Sequence, residues 1–217
     1  MKKTVLLAAA GASMAALATP ALAGGAPITT EEVEAAQKAW GDGIVKISAT
    51  HAANGDYKAA AKKHLDTLYN YDNGMVLFKP TLAAEDQFRG TYDEALSYFV
   101  KGMRAEDSGF AIKGWTNVRF ENEGIVTDDD NAIAMGNYFF TGPDGSITKV
   151  EYTFGYVRDT DGNLKINTHH SCWRERHRTN ELTPRIHHLP PSPMDAIFKR
   201  AAPKWCRPSF LHRTQSD

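Results

Sequence analysis

The stretch "NAIAMGNYFFTGPDGSITKVEYTFGYVRDTDGNLKINTHH", Asn131 to His170, reads as three β-strands joined by two tight turns. Large apolar residues recur at every second position, the period of a strand with one buried face. "GPDG" (142–145) and "DTDG" (159–162) carry the Asp-Gly pair that hairpin turns favour. Upstream, "IKGWTNVRFENEGIV" (112–126) is a further strand region, with Trp115 and Val118 among its large side chains. Asp128-Asp129-Asp130 reads as a solvated hairpin turn, without the spaced ligands of a calcium loop. The second half of the chain is therefore a long antiparallel meander.

Helices precede it. Thr29 and Glu32 fit a capping box. Val33, Ala36, Trp40, Ile44 and Ile47 then recur at three- and four-residue steps and build one apolar stripe, predicting a helix to about Ala53. Gly41 and Gly43 weaken that helix and leave room for another backbone to approach. "NGD" (54–56) makes a turn, and a second helix covers Tyr57 to Leu68. Met75 to Phe78 is a short strand stopped by Pro80. "TYDEALSYFVKGM" is a third helix burying Ala95, Leu96, Phe99 and Val100. Helices first and a meander last imply an α+β domain. A bent sheet would wrap around the long first helix and leave a pocket between them.

The ends read differently. "MKKTVLLAAAGASMAALATPALA" has two lysines, a short alanine-rich apolar run and a small-residue site ending at Ala23, the layout of a cleaved secretory signal. The expectation is an exported, periplasmic protein with no membrane association after cleavage. From Trp173 onward glycine disappears and proline and arginine accumulate without any period. The segment 173–217 reads as an irregular, disordered basic tail, of the kind a reading-frame shift leaves. The competing reading is a genuine extension tied down by a Cys172–Cys206 disulfide. A formal net charge of −1 argues against general nucleic-acid binding. No CxxC, GxxxxGK[ST], GxSxG or HExxH motif is present.

The eight histidines are the first candidates for chemistry. His169 and His170 are neighbours on a strand and point to opposite faces, so they cannot easily grip one metal ion. That leaves His51 and His64 with one of the pair, and no helical HxxxH to organise them. His169 and Ser171, two apart, face the same side and can bind or move protons at a strand's end; such a pair is also ordinary polar surface in many strands. Thr50 extends the first helix's stripe, or simply bonds to helix backbone. Tyr69 and Tyr71 follow the second helix, where half-buried packing is the bland alternative. Trp115 reads as core or pocket wall.

"QKAWGDGIVKIS", "VLFKPT", "FAIKGW" and "INTHHS" fall in this order along the chain and together resemble the iota-class carbonic anhydrases. These belong to the superfamily of SnoaL and the calcium/calmodulin-dependent kinase association domain. The likeness covers Ile28 to Ser171. It implies a cone-shaped fold of the nuclear-transport-factor-2 type, a domain over 28–172, and a homodimer. It implies carbon dioxide and bicarbonate as substrate and product. Members that work without metal place a threonine, a tyrosine, a histidine and a serine around bicarbonate; others have been described with zinc or manganese. The resemblance carries His169 and Ser171 over directly. It suggests Thr50, with Ser48 as alternative, and Tyr71, with Tyr69 as alternative. The family's His-His-Ser-Ser motif here ends in Cys172. Ile44, Ile47 and Trp115 would form the apolar wall receiving carbon dioxide, and no cofactor is expected. The same fold also serves as a non-catalytic ligand-binding or oligomerisation module, or for dehydratase-type chemistry on a larger substrate.

Overall fold

The computed structural model describes residues 26–173. The leader Met1–Ala23, the tail beyond Trp173 and Cys206 lie outside the described residues. Helix α1 (Thr30–Ala52) begins at the expected capping box: Thr29 Oγ1 accepts from the Glu32 amide and the Glu32 carboxylate accepts from the Thr29 amide. Its stripe of Val33, Trp40, Ile44 and Ile47 is buried. Helix α2 (Tyr57–Leu68) is capped by the Asp56 side chain, and α3 (Tyr92–Val100) by a second capping box.

Among the described residues there are five strands, β1 (Leu77–Lys79), β2 (Asn117–Thr127), β3 (Asn131–Thr141), β4 (Ile147–Arg158) and β5 (Leu164–Cys172). Their order in the sheet is β1-β5-β4-β3-β2. The meander from β2 to β5 is antiparallel as expected, and the fold is α+β. Two details differ from the sequence reading. A 3-10 turn at Phe110–Ile112 takes the chain past Trp115 before β2 starts. β1 starts two residues later and ends one residue later than expected, and it pairs parallel to β5, setting Phe78 beside His169 and Lys79 beside His170.

The sheet curls around α1. A flat sheet would hold β2 and β5 about 14 Å apart, three strand spacings. Yet the Phe120 ring on β2 lies 6.0 Å, and the His169 ring on β5 5.6 Å, from the same Trp40 indole. Two bulges help to bend it. Glu123 is unpaired between Asn122 and Gly124, opposite Gly136; Asn167 is unpaired between Ile166 and Thr168, opposite Gly155. A Cβ at Gly136 would stand 2.1 Å from the Glu121 carbonyl oxygen, and one at Gly155 2.8 Å from Asn167 Oδ1. Only glycine fits against either bulge.

The two helical glycines of α1 have different neighbours. Gly41 meets the β2 backbone, with the Val118 carbonyl oxygen 3.2 Å from a would-be Cβ. At Gly43 the neighbour is a side chain: a Cβ would lie 2.1 Å from His64 Nδ1. Alanine in an open helix gains about 1 kcal/mol over glycine. At Gly43 the buried imidazole cannot move aside freely, so Gly43→Ala is expected to destabilise the protein by about 1–3 kcal/mol. Urea unfolding checks this; a midpoint at or above that of the wild type would contradict the packing.

Candidate active site

The bulge at Asn167 decides which face His169 occupies. Unbroken alternation would place Ile166 and His169 on opposite faces, but the extra residue turns both inward: Ile166 is 1% and His169 2% exposed. Ser171, two residues on, is also inward, while His170 is exposed. The His169 ring stacks on Phe78 with centroids 4.6 Å apart and meets the Phe154 ring edge-on at 4.2 Å. Its Nδ1 lies 2.8 Å from the Tyr69 hydroxyl, which also accepts a 2.8 Å bond from Trp40 Nε1. His169 Nε2 and His64 Nε2 are both buried and have no hydrogen-bond partner among the described residues.

Ser171 is held from the other side. The parallel β1–β5 pairing continues the chain through Pro80 to Thr81, whose Oγ1 donates to Ser171 Oγ at 2.8 Å. Lys79 Nζ donates to the Ser171 carbonyl at 3.0 Å, and burial lowers its ammonium pKa to about 8. Tyr138, on β3, lies beside the Ser171 and Thr81 hydroxyls, which favour its ionised form; burial nonetheless pushes its phenol up. Tyr98, from α3, is raised by burial foremost and then by the neighbouring Tyr138, against a hydrogen bond with the Leu82 backbone. At these elevations both phenols stay protonated and keep a proton to donate.

The segment carrying Thr81 is itself clamped. Arg89, wholly buried, pairs with Asp107 at 2.6 Å and Glu106 at 3.1 Å. The Glu106 carboxylate accepts from the amides of Ala84, Glu85 and Asp86. Asp107 also accepts from Ser97, the residue before Tyr98. One ion-pair network thus anchors both the Thr81 loop and the helix presenting Tyr98.

The structure brings some of the expected residues together and leaves others apart. His169 and Ser171 share one buried cluster. Thr50 does not join them: its hydroxyl donates to the Lys46 carbonyl at 2.8 Å, the ordinary helix-end bond. Its alternative Ser48 donates to the Ala111 carbonyl and accepts from the Trp115 amide. Tyr71 donates to the Arg89 carbonyl, away from His169; the tyrosine against His169 is Tyr69. Ile44, Ile47 and Trp115 are core residues. Trp115 packs on Phe110 and Phe140, and the indole against His169 is that of Trp40. Sequence reasoning did not single out Thr81, Tyr98 or Tyr138, which the fold gathers on the Ser171 side of this cluster. Thr81 stands at the end of the "VLFKPT" block, but what gives it meaning is a strand pairing across 90 residues.

Among the described residues no group of three or more His, Cys, Asp or Glu side chains is placed to hold a metal ion. A cleft of about 410 Å³ between α1 and β2 is lined by Gln37, Asp42, Arg119 and Asn122 among others, and by no member of the His169 cluster.

Residues 31–173 match the family described as metal-independent carbonic anhydrase. The chain belongs to this family. A metal-independent carbonic anhydrase of Nostoc sp. is 46% identical over 149 residues, covering 66% of this chain and 73% of that protein. The crystal structure of a cyanobacterial iota-carbonic anhydrase complexed with bicarbonate is 43% identical, covers 74% of this chain and 99% of its own, and superposes with a TM-score of 0.68. A calcium/calmodulin-dependent protein kinase II association domain from Xanthomonas campestris shares 24% identity with a TM-score of 0.47, covering 67% of this chain and 88% of its own.

The buried imidazoles make stability depend on pH. Burial lowers His64 to about 3, and lowers His169 well below the usual histidine range, with the charges of His170, His64 and Lys79 adding to it. The folded protein keeps both neutral, whereas the unfolded chain takes up protons near pH 6.5. Their contribution is therefore full above about pH 6.5 and falls as the pH drops below it. Between pH 7 and pH 5 the loss is expected to be about 2 kcal/mol for His64, with His169 adding to it in the same direction. Urea midpoints at the two pH values test this, and equal midpoints would show that the imidazoles are not buried neutral.

Proposed function

We propose that this protein hydrates carbon dioxide reversibly to bicarbonate and a proton, and does so without a metal ion. The observation that carries the reading is the buried hydrogen bond between Thr81 and Ser171, two residues from His169, in a chain of the metal-independent carbonic anhydrase family. Hydration forms a bond from water oxygen to carbon while negative charge grows on the carbon dioxide oxygens. A metal enzyme stabilises that charge by Lewis acidity. Here the task falls to preorganised hydrogen-bond donors in a site of low dielectric. Ser171, Thr81, Tyr98 and Tyr138 supply neutral O–H groups, and the nearby Lys79 ammonium favours an anion over its neutral precursor.

Donors of this kind are each worth about 10²–10³ in rate. Ser171→Ala and Thr81→Val are expected to lower stopped-flow hydration by about that factor with the circular dichroism spectrum unchanged. Chelator treatment of the wild type is expected to leave the rate unchanged. A rate that collapses with chelator, or two variants with near-normal rates, would overturn the metal-free, hydroxyl-based reading.

The mature protein is also proposed to be exported and dimeric. The export reading rests on the signal-like layout of Met1–Ala23. The dimer reading rests on the outer face of the sheet, where Val126, Ile133 and Met135 expose 68%, 48% and 54% of their surfaces side by side on β2 and β3. Light scattering and intact mass on protein from the periplasmic fraction are expected to give a dimer of chains beginning at Gly24. A monomer, or a chain retaining Met1, would refute the corresponding part.

A further inference from the structure

The buried chain Trp40–Tyr69–His169 has a direction, and the direction sets what His169 can do. The indole Nε1 of Trp40 can only donate, so the Tyr69 oxygen accepts from it at 2.8 Å. The Tyr69 hydroxyl proton then needs an acceptor in a wholly buried position, and its other partner among the described residues is His169 Nδ1, at 2.8 Å. If Nδ1 carried the imidazole proton instead, the Tyr69 oxygen would accept twice and its own proton would be left buried without a partner. The consistent arrangement is Trp40 N–H to Tyr69 O, and Tyr69 O–H to His169 Nδ1.

We infer that Trp40 and Tyr69 are positioning residues that hold His169 as the Nε2–H tautomer, so that the imidazole meets the bicarbonate-forming site as a neutral hydrogen-bond donor and not as the base that deprotonates water. A neutral imidazole carries one proton; with Nδ1 occupied as an acceptor, that proton is on Nε2. Nε2 is the ring atom left without a partner among the described residues, although His169 is only 2% exposed. The ring cannot easily turn over to exchange its two nitrogens, because Phe78 stacks on it and Phe154 and Trp40 meet it edge-on. A donor so placed complements a developing carboxylate oxygen, as the Ser171, Thr81 and tyrosine hydroxyls do. With Nδ1 accepting from Tyr69 and the proton on Nε2, His169 has no lone pair free to take the proton released by the attacking water. The catalytic part of this inference rests on the proposed hydration activity; the tautomer does not.

The test is long-range ¹H–¹⁵N correlation on the ¹⁵N-labelled mature protein at pH 7–8, with the His169 signals assigned by their loss in His169→Gln. The expected result is a pyrrole-like Nε2, coupled to both ring carbon-bound protons, and a pyridine-like Nδ1. The reverse pattern, or a doubly protonated ring, overturns the inference whether or not Tyr69→Phe folds. In a folded Tyr69→Phe, Nδ1 loses its donor. The tautomers are then expected to mix, and the hydration rate to fall at least tenfold. A variant that keeps both the wild-type tautomer and the wild-type rate overturns the positioning role. An inactive wild type that still shows the Nε2–H pattern supports the tautomer assignment and overturns the proposed hydration activity instead.

Discussion

The indole of Trp40 is the contact on which fold and site both depend. Its ring touches Phe120, Tyr138, Phe140, Phe154 and His169, and so reaches strands β2, β3, β4 and β5 from one helical position. A sheet that closes around one side chain in this way must be curved. The curvature is possible because glycines face the two bulges, where any side chain would collide with backbone or a neighbour. The same residue spends its N–H on Tyr69. Burying a large aromatic therefore positions the sheet and, through one hydrogen bond, the group that orients His169.

The opposite wall of the site is built on a different principle. Arg89, Asp107 and Glu106 form a buried ion-pair network, and the desolvation cost of such a group is large unless nearly every charged atom finds a partner. Here the carboxylates and guanidinium also bind backbone amides and carbonyls of the loop between β1 and α3. The network adds little net stability on general grounds. What it specifies is the path of that loop, and hence the distance between Thr81 and Ser171. Aromatic packing fixes the imidazole, and an ion-pair clamp fixes the hydroxyls.

Both devices suit chemistry without a metal. Hydrogen-bond donors stabilise a developing charge only as far as they are already aimed at it, since reorientation would consume the gain. The deeply buried tyrosines and histidines are neutral at neutral pH: phenols are held protonated and imidazoles unprotonated by the same burial. The buried donors are thus locked in place and keep their protons. The Lys79 ammonium sits against the Ser171 carbonyl, and the Arg89 guanidinium is paired with Asp107 and Glu106.

Local chemistry was enough to read much of this from the chain. The capping box of α1, its 3.6-residue stripe, the two-residue period of the strands and the Asp-Gly turns each depend on residues close in sequence, and each appears where expected. His169 and Ser171 were legible because two positions along a strand share a face. Tertiary structure decided the rest. Strand parity says that His169 and Ser171 face together, but not which way. The bulge at Asn167, which exists only in pairing with Gly155, turned them inward alongside Ile166. Thr50 and Tyr71 had plausible spacing, yet their hydroxyls found nearer carbonyl acceptors at Lys46 and Arg89. Thr81 and Tyr69 came to lie against Ser171 and His169 because β1 and the residue closing α2 both align with β5, across roughly a hundred residues of chain. Periodicity records which face a side chain shares with its near neighbours. It carries no information about which distant strand will lie beside it, and that pairing is what assembled this site.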